Sequence, residues 1–134
     1  KIKLTNSGDM HNLRRNLIKK EELRFVEPIG LVDTGAISLI ISQSIADQLG
    51  VVAISREVVE YADGRQAEVD MTEAIHIELM GRHAVAEAYV LGDEVLIGQT
   101  ILELTDLHVD CKGQRLMPNP AHPDRPVAMV KAAS

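Results

Sequence analysis

Aromatic side chains are nearly missing from this chain: there is no tryptophan, one phenylalanine (Phe25) and two tyrosines (Tyr61 and Tyr89) among 134 residues. Stacking of bases on a ring platform is therefore a poor prospect, and the core has to be aliphatic, built from Val, Ile, Leu, Ala and Met. Positive charge is also short, with 14 Lys and Arg against 20 Asp and Glu and a net charge of −6. An acidic surface repels phosphate backbones, so no nucleic acid partner is expected. The one basic run, Arg14-Arg15 with Lys19-Lys20, is followed at once by Glu21-Glu22 and reads as a solvated face. Cys111 is the only cysteine, so no disulfide can close within the chain and a reducing, cytoplasmic setting is expected. No signal peptide and no apolar run long enough to cross a bilayer is visible, so no membrane segment is expected; the first residue is Lys1 rather than Met, which leaves upstream residues open. His11, His76, His83, His108 and His122 lack metal-ligand spacing, so neither a metal site nor a cofactor is expected.

What is present is a series of short apolar runs with dense turn punctuation, the pattern of strands rather than helices. Residues 1–5 alternate, and Asn6-Ser7-Gly8-Asp9 closes them with turn chemistry. Over residues 10–22 the pair Leu13 and Leu17 suggests a helical turn, while an exposed excursion between strands fits equally well. Residues 23–32 are mostly apolar and are interrupted by Pro28, which belongs at an edge or bend. After Asp33-Thr34-Gly35-Ala36 comes a β-forming run over 37–42. A short helix then follows over 42–50, with Ser42 or Ser44 as N-cap and Gly50 as its end.

Residues 51–60 and 67–80 read as hairpin arms joined through Tyr61-Ala62-Asp63-Gly64-Arg65, where Asp-Gly signals a tight primed turn. Further strands are expected over 84–91 and 95–98, and a helical stretch over 99–104. A last hairpin spans 107–111 and 115–117 around Lys112-Gly113-Gln114. A proline-rich extended tail begins at about 118, with a possible strand over 127–130. Asp106 and Asp110 are expected in turns or on the solvent face. His108-Val109-Asp110-Cys111 alternates along a strand and so supports no Cys/His dyad. The whole reads as a single domain over 1–134, an all-β closed barrel with one or two short helices.

Leu31-Val32-Asp33-Thr34-Gly35-Ala36 carries the chemistry. A carboxylate set between Leu-Val and Gly-Ala is costly unless it is hydrogen-bonded or used. Gly35 lets the backbone come close, and Thr34 supplies a hydroxyl. Downstream, Leu96-Ile97-Gly98 precedes the expected short helix, and the Asp63-Gly64 hairpin lies between the two. In this order of elements, over about residues 23–117, the chain resembles the retropepsin-like aspartic proteases, and Leu116-Met117-Pro118-Asn119-Pro120 is similar to the close of small bacterial members.

The resemblance implies a homodimer in which Asp33 of each subunit is the catalytic acid. Thr34, Gly35 and Ala36 would support the active-site loop, Leu96, Ile97 and Gly98 would line the cleft, and Tyr61, Ala62, Asp63 and Gly64 would form the flap. It implies an aspartic endopeptidase acting on a peptide or protein substrate with water, and with neither metal nor cofactor. Ile37 and Gln99 are uncharged where viral members often carry a pairing acid and base, so subsite preference and dimer contacts are less transferable. The alternatives are a catalytically silent dimerisation or peptide-binding module and an unrelated β scaffold. Substrate, pathway, self-processing, the role of residues 6–22 and the use of the terminal strands 1–5 and 127–131 in a dimer are left open.

Overall fold

In the computed structural model, residues 1–113, 115–128 and 130 are described. The short apolar runs become strands: β1 (Lys3–Asn6), β2 (Phe25–Val26), β3 (Gly30–Val32) and β4 (Leu39–Ile41) occupy the first part of the chain. The hairpin β5 (Ala53–Glu60)–β6 (Gln66–Thr72) and the hairpin β7 (Ile75–Leu79)–β8 (Arg82–Ala86) follow. Next come β9 (Ala88–Val90), β10 (Val95–Ile97) and the closing hairpin β11 (Leu107–Asp110)–β12 (Arg115–Pro118). Three short helices are interleaved, α1 (Ser7–Arg14), α2 (Gln43–Leu49) and α3 (Gln99–Thr105), with a 3-10 turn at Lys20–Glu22.

The expected closed barrel is not formed. Among the described residues there are three open sheets, in the orders β2-β1-β7-β8, β3-β10-β4-β9-β6-β5 and β11-β12. The reason is that the two runs read as single strands, 67–80 and 84–91, and the apolar run 23–32 each bend and change sheets, as strands do at the corners of packed sheets. Pro28 cannot donate to a ladder, and it separates β2 from β3. Glu73 and Ala74 separate β6 from β7, and Glu87 separates β8 from β9. Buried Thr72 ties two of these corners together, its Oγ1 donating to Glu73 O (2.8 Å) and accepting from Ala88 N (3.2 Å).

Both larger sheets turn their apolar faces to one aliphatic cluster, which includes Leu4, Ile75 and Ile77 from the first and Leu39, Ile41 and Ile97 from the second. Leu49 of α2 and Ile101 of α3 complete it. No ring enters this cluster, as the composition requires.

Helix α2 starts at Ser42, whose Oγ accepts from Ile45 N (3.2 Å), and stops at Gly50, whose φ of 67° is the left-handed conformation that favours glycine. Helix α1 settles the ambiguous segment. Asn6 caps it by accepting from Asp9 N (3.0 Å) and also donates to Leu49 O at the end of α2 (2.8 Å). Buried Asp9 accepts from the backbone N, Nε and Nη2 of Arg24 at 2.9 to 3.1 Å. Its carboxyl is held below the usual range, chiefly by the Arg24 side chain. The strand expected over 127–130 is absent at Val127, Ala128 and Val130, while Met129, like Gln114 of the last turn and residues 131–134, lies outside the described residues.

Candidate active site

The loop bearing Asp33 joins two consecutive strands that do not pair with each other. Between β3 and β4 runs β10, parallel to β3 (Leu96↔Leu31, Ile97↔Val32) and antiparallel to β4 (Leu96↔Ile40, Ile97↔Leu39). Residues 33–38 therefore arch over the segment that follows β10. Three backbone bonds fix the arch: Asp33 N to Ile97 O (3.0 Å), Gln99 N to Ala36 O (2.9 Å) and Thr100 N to Ile37 O (2.9 Å). Gly98 is the contact point. A Cβ there would stand 2.6 Å from Ala36 O and 2.7 Å from Ser38 N, so only glycine lets the two backbones meet.

Within the arch, Asp33 Oδ1 accepts from Gly35 N (2.9 Å), and Ala36 N closes the turn on Asp33 O (3.0 Å). Asp33, Thr34 and Gly35 are exposed and Ala36 is half-buried. Among the described residues no cation pairs with Asp33. Its surroundings are apolar yet uncovered: Ile29 (71%), Leu31 (47%), Val32 (37%) and Ile37 (78%) all reach solvent. A groove of about 580 Å³ runs past Thr34 between Leu31, Val32, Met80 and Leu116. The local folding thus brings Asp33, Thr34, Gly35 and Ala36 together with Ile97 and Gly98, both buried, while Leu96 is half-buried in the same strand.

Tyr61, Ala62, Asp63 and Gly64 cap the β5–β6 hairpin, but the turn is not the expected two-residue primed type. Tyr61 N bonds Arg65 O (2.8 Å) and Gly64 N bonds Tyr61 O (2.9 Å), with Gly64 at a φ of 87°, which makes a three-residue loop. Asp63 accepts from Arg65 N (3.0 Å) and Nε (2.6 Å), and the Arg65 guanidinium lies 5.0 Å from the centre of the Tyr61 ring. Among the described residues no hydrogen bond joins this tip to the Asp33 arch.

Two clusters escaped the sequence reading. Arg82, 5% exposed, donates to Thr105 O (3.3 Å), Asp106 O (2.7 Å) and His122 O (2.8 Å). Asp106, expected in a turn or facing solvent, does end α3 in a left-handed turn, yet its carboxylate points inward. It accepts from Asn119 Nδ2 (2.9 Å), Val127 N (3.0 Å) and His122 Nδ1 (2.6 Å). The Asn119 bond first, then the Val127 amide and the His122 contact, pull its carboxyl down to about 2. The proline-rich tail is thereby strapped to the end of α3, an arrangement no local pattern could signal because its partners lie up to 40 residues apart.

In the second cluster, His76 Nε2 and His83 Nδ1 lie 3.0 Å apart on the outer face of the β7–β8 hairpin. Burial, and then the neighbouring His83, push His76 below its ordinary value. Among the described residues, no group of three or more His, Cys, Asp or Glu is arranged to hold a metal, and no helix is long and apolar enough to cross a membrane.

No family model matches the sequence, and no curated protein matches it either. Among solved structures the chain is similar to the retroviral protease-like domain of Ddi1 from Leishmania major, with 23% identity over 78% of this chain and 82% of that one and a TM-score of 0.49.

Proposed function

We propose that the chain is an aspartic endopeptidase that works as a homodimer of retropepsin type, with Asp33 of each subunit meeting at the twofold axis. The observation that carries this reading is the state of Asp33 in the single chain. Its backbone is fully committed to the arch, one carboxylate oxygen holds Gly35 N, and the other is free beside exposed aliphatic residues. Placement of an exposed acid, with one oxygen left to solvent in an uncovered apolar setting, describes half of a site. A second copy across a twofold axis supplies the same acid and covers the same surface, an isologous contact.

Two carboxylates that close cannot both ionise cheaply, so the pair holds one proton. The ionised Asp33 takes a proton from a water held between the two as the water oxygen bonds to the scissile carbonyl carbon. The protonated Asp33 meanwhile donates to the carbonyl oxygen. When the tetrahedral diol collapses, the carbon–nitrogen bond breaks, the nitrogen takes the proton held by one Asp33 and a diol hydroxyl returns its proton to the other, leaving a carboxylic acid, an amine and a singly protonated dyad. Thr34 braces the paired arches across the axis, Gly35 gives substrate access to the backbone, and Ile97 and Gly98 support the arch from below. The β5–β6 hairpin closes over an extended peptide, which it holds as an added strand. Aliphatic residues around the arch favour apolar side chains beside the cut bond.

The test is cleavage of an unstructured protein at mildly acidic pH by the wild type and by Asp33→Asn. Cleavage that vanishes in the variant and is blocked by a pepstatin-like inhibitor supports the reading. Cleavage indifferent to both removes it, and a wild type that dimerises without cleaving anything points to the silent module.

A further inference from the structure

We propose that His76 and His83 form a two-histidine site for a borderline divalent transition-metal ion of the Ni²⁺, Cu²⁺ or Zn²⁺ class on the outer face of the β7–β8 hairpin. This site is independent of the proteolytic reading. The sequence conceals it because the histidines are seven residues apart, a spacing that matches no helical ligand motif. The turn between the strands changes that. Met80 and Gly81, with φ of 51° and 74°, form a tight hairpin that sets Glu78 opposite His83 and His76 opposite Val85. The two histidines become diagonal neighbours on the wet face, while Ile75, Ile77 and Leu79 alternate into the core.

The geometry suits shared coordination. His76 Nε2 and His83 Nδ1 are 3.0 Å apart, with ring centres at 5.2 Å and planes tilted by 50°. Two nitrogens each ~2.1 Å from one metal and at the right angle of tetragonal Ni²⁺ or Cu²⁺ coordination stand about 3.0 Å apart. A metal there replaces the proton that now links the rings, and neutral imidazole nitrogens suit this class of ion. The choice of nitrogen is supported from behind. His83 Nε2, the atom facing away from His76, lies 3.9 Å from Glu78 Oε1. That distance is too long for a hydrogen bond, but the negative charge favours the proton on Nε2 and so leaves Nδ1 as the ligand atom.

The side chain of His83 is 55% exposed, so water completes the remaining positions, in keeping with the absence of a third protein ligand among the described residues. Two cations oppose binding, Arg14 from α1 and Lys3 from β1. The Lys3 ammonium is drawn aside over the Phe25 ring, 4.7 Å from its centre.

The experiment is a titration of the folded protein with Ni²⁺ alone, chosen because it does not oxidise the exposed thiol of Cys111, followed by backbone amide spectra. Paramagnetic broadening should centre on β7 and β8 and be reversed by a chelator. His76→Ala and His83→Ala should each weaken binding by about tenfold or more, Glu78→Gln by less, and His108→Ala should leave it unchanged. The amide spectrum of each variant reports whether it is folded. As a second reading on the wild type alone, Ni²⁺ should raise the thermal midpoint and slow exchange of the β7–β8 amides. Broadening centred on His11, His108 or Cys111, or affinity equal in the wild type and the folded double variant, would overturn the proposal.

Discussion

Asp33 and Asp106 both sit in loops beside α3, and they are treated in opposite ways. Asp106 accepts three hydrogen bonds, has the Arg82 guanidinium 4.0 Å away and has its carboxyl held down at about 2 by those bonds. Among the described residues Asp33 accepts one, from an amide two residues on, and pairs with no cation. A carboxylate that serves structure is saturated by its partners, as Asp106 is. Asp33 is exposed, with one carboxylate oxygen left to solvent among uncovered aliphatics, and the proposed dimeric site builds on that difference. The difference separates the strap of the C-terminal tail from the candidate centre.

The sharpest way to break the comparison is to neutralise both acids. Asp33→Asn should lower peptide cleavage by about a thousandfold or more while the unfolding midpoint stays in place, since Asn keeps the Oδ1 that accepts from Gly35 N. If Asp33→Asn instead unfolds the protein, the contrast fails. Next comes the backbone contact below the arch. Gly98→Ala should cost about 3 kcal/mol in urea unfolding and lower activity with it, because the added methyl meets the main chain of Ala36 and Ser38. Arg82→Ala should cost about 2 kcal/mol, leaving three carbonyls without their donor, and should release the tail without touching Asp33 chemistry.

Acid sharpens the contrast further. The folded-state carboxyl of Asp106 is held at about 2 against an ordinary 3.8, so its contribution is complete above the unfolded value and is lost as pH falls through about 2. Asp9 and Asp110 shift in the same direction and add to the same acid limb. Urea midpoints of the wild type and Asp106→Asn, taken against pH, should converge towards pH 2; a gap that stays constant would contradict the assignment. The smallest effect is expected at the hairpin tip, where Arg65 and Asp63 are both exposed. Arg65→Ala should shift stability by no more than about 0.5 kcal/mol.

The local features of the site were legible because its signals are local. Asp33-Thr34-Gly35-Ala36 marks the loop that forms the arch, and Ser42 or Ser44 with Gly50 brackets α2, whereas the close backbone approach expected at Gly35 falls at Gly98, which was expected only to line the cleft. The closed barrel was misread because Pro28, Glu73-Ala74 and Glu87 turn one apparent strand into two, and a period-of-two pattern does not record which sheet each half joins. Helix α1 was ambiguous because it carries little apolar periodicity. Its stability comes from the Asn6 cap and from Arg24, fifteen residues beyond Asp9. Arg82, Asp106 and His122 could not be paired from sequence, since only the tertiary fold makes them neighbours. His76 and His83 are seven residues apart along the chain, so only the β7–β8 turn makes them neighbours.

The central claim is best tested by a crystal structure of the assembled protein bound to a hydroxyl-bearing peptide inhibitor. The account predicts two Asp33 carboxylates about 3 Å apart across a twofold axis, both hydrogen-bonded to that one hydroxyl. A monomer with the inhibitor seated elsewhere, or a dimer whose Asp33 side chains face apart, would contradict it.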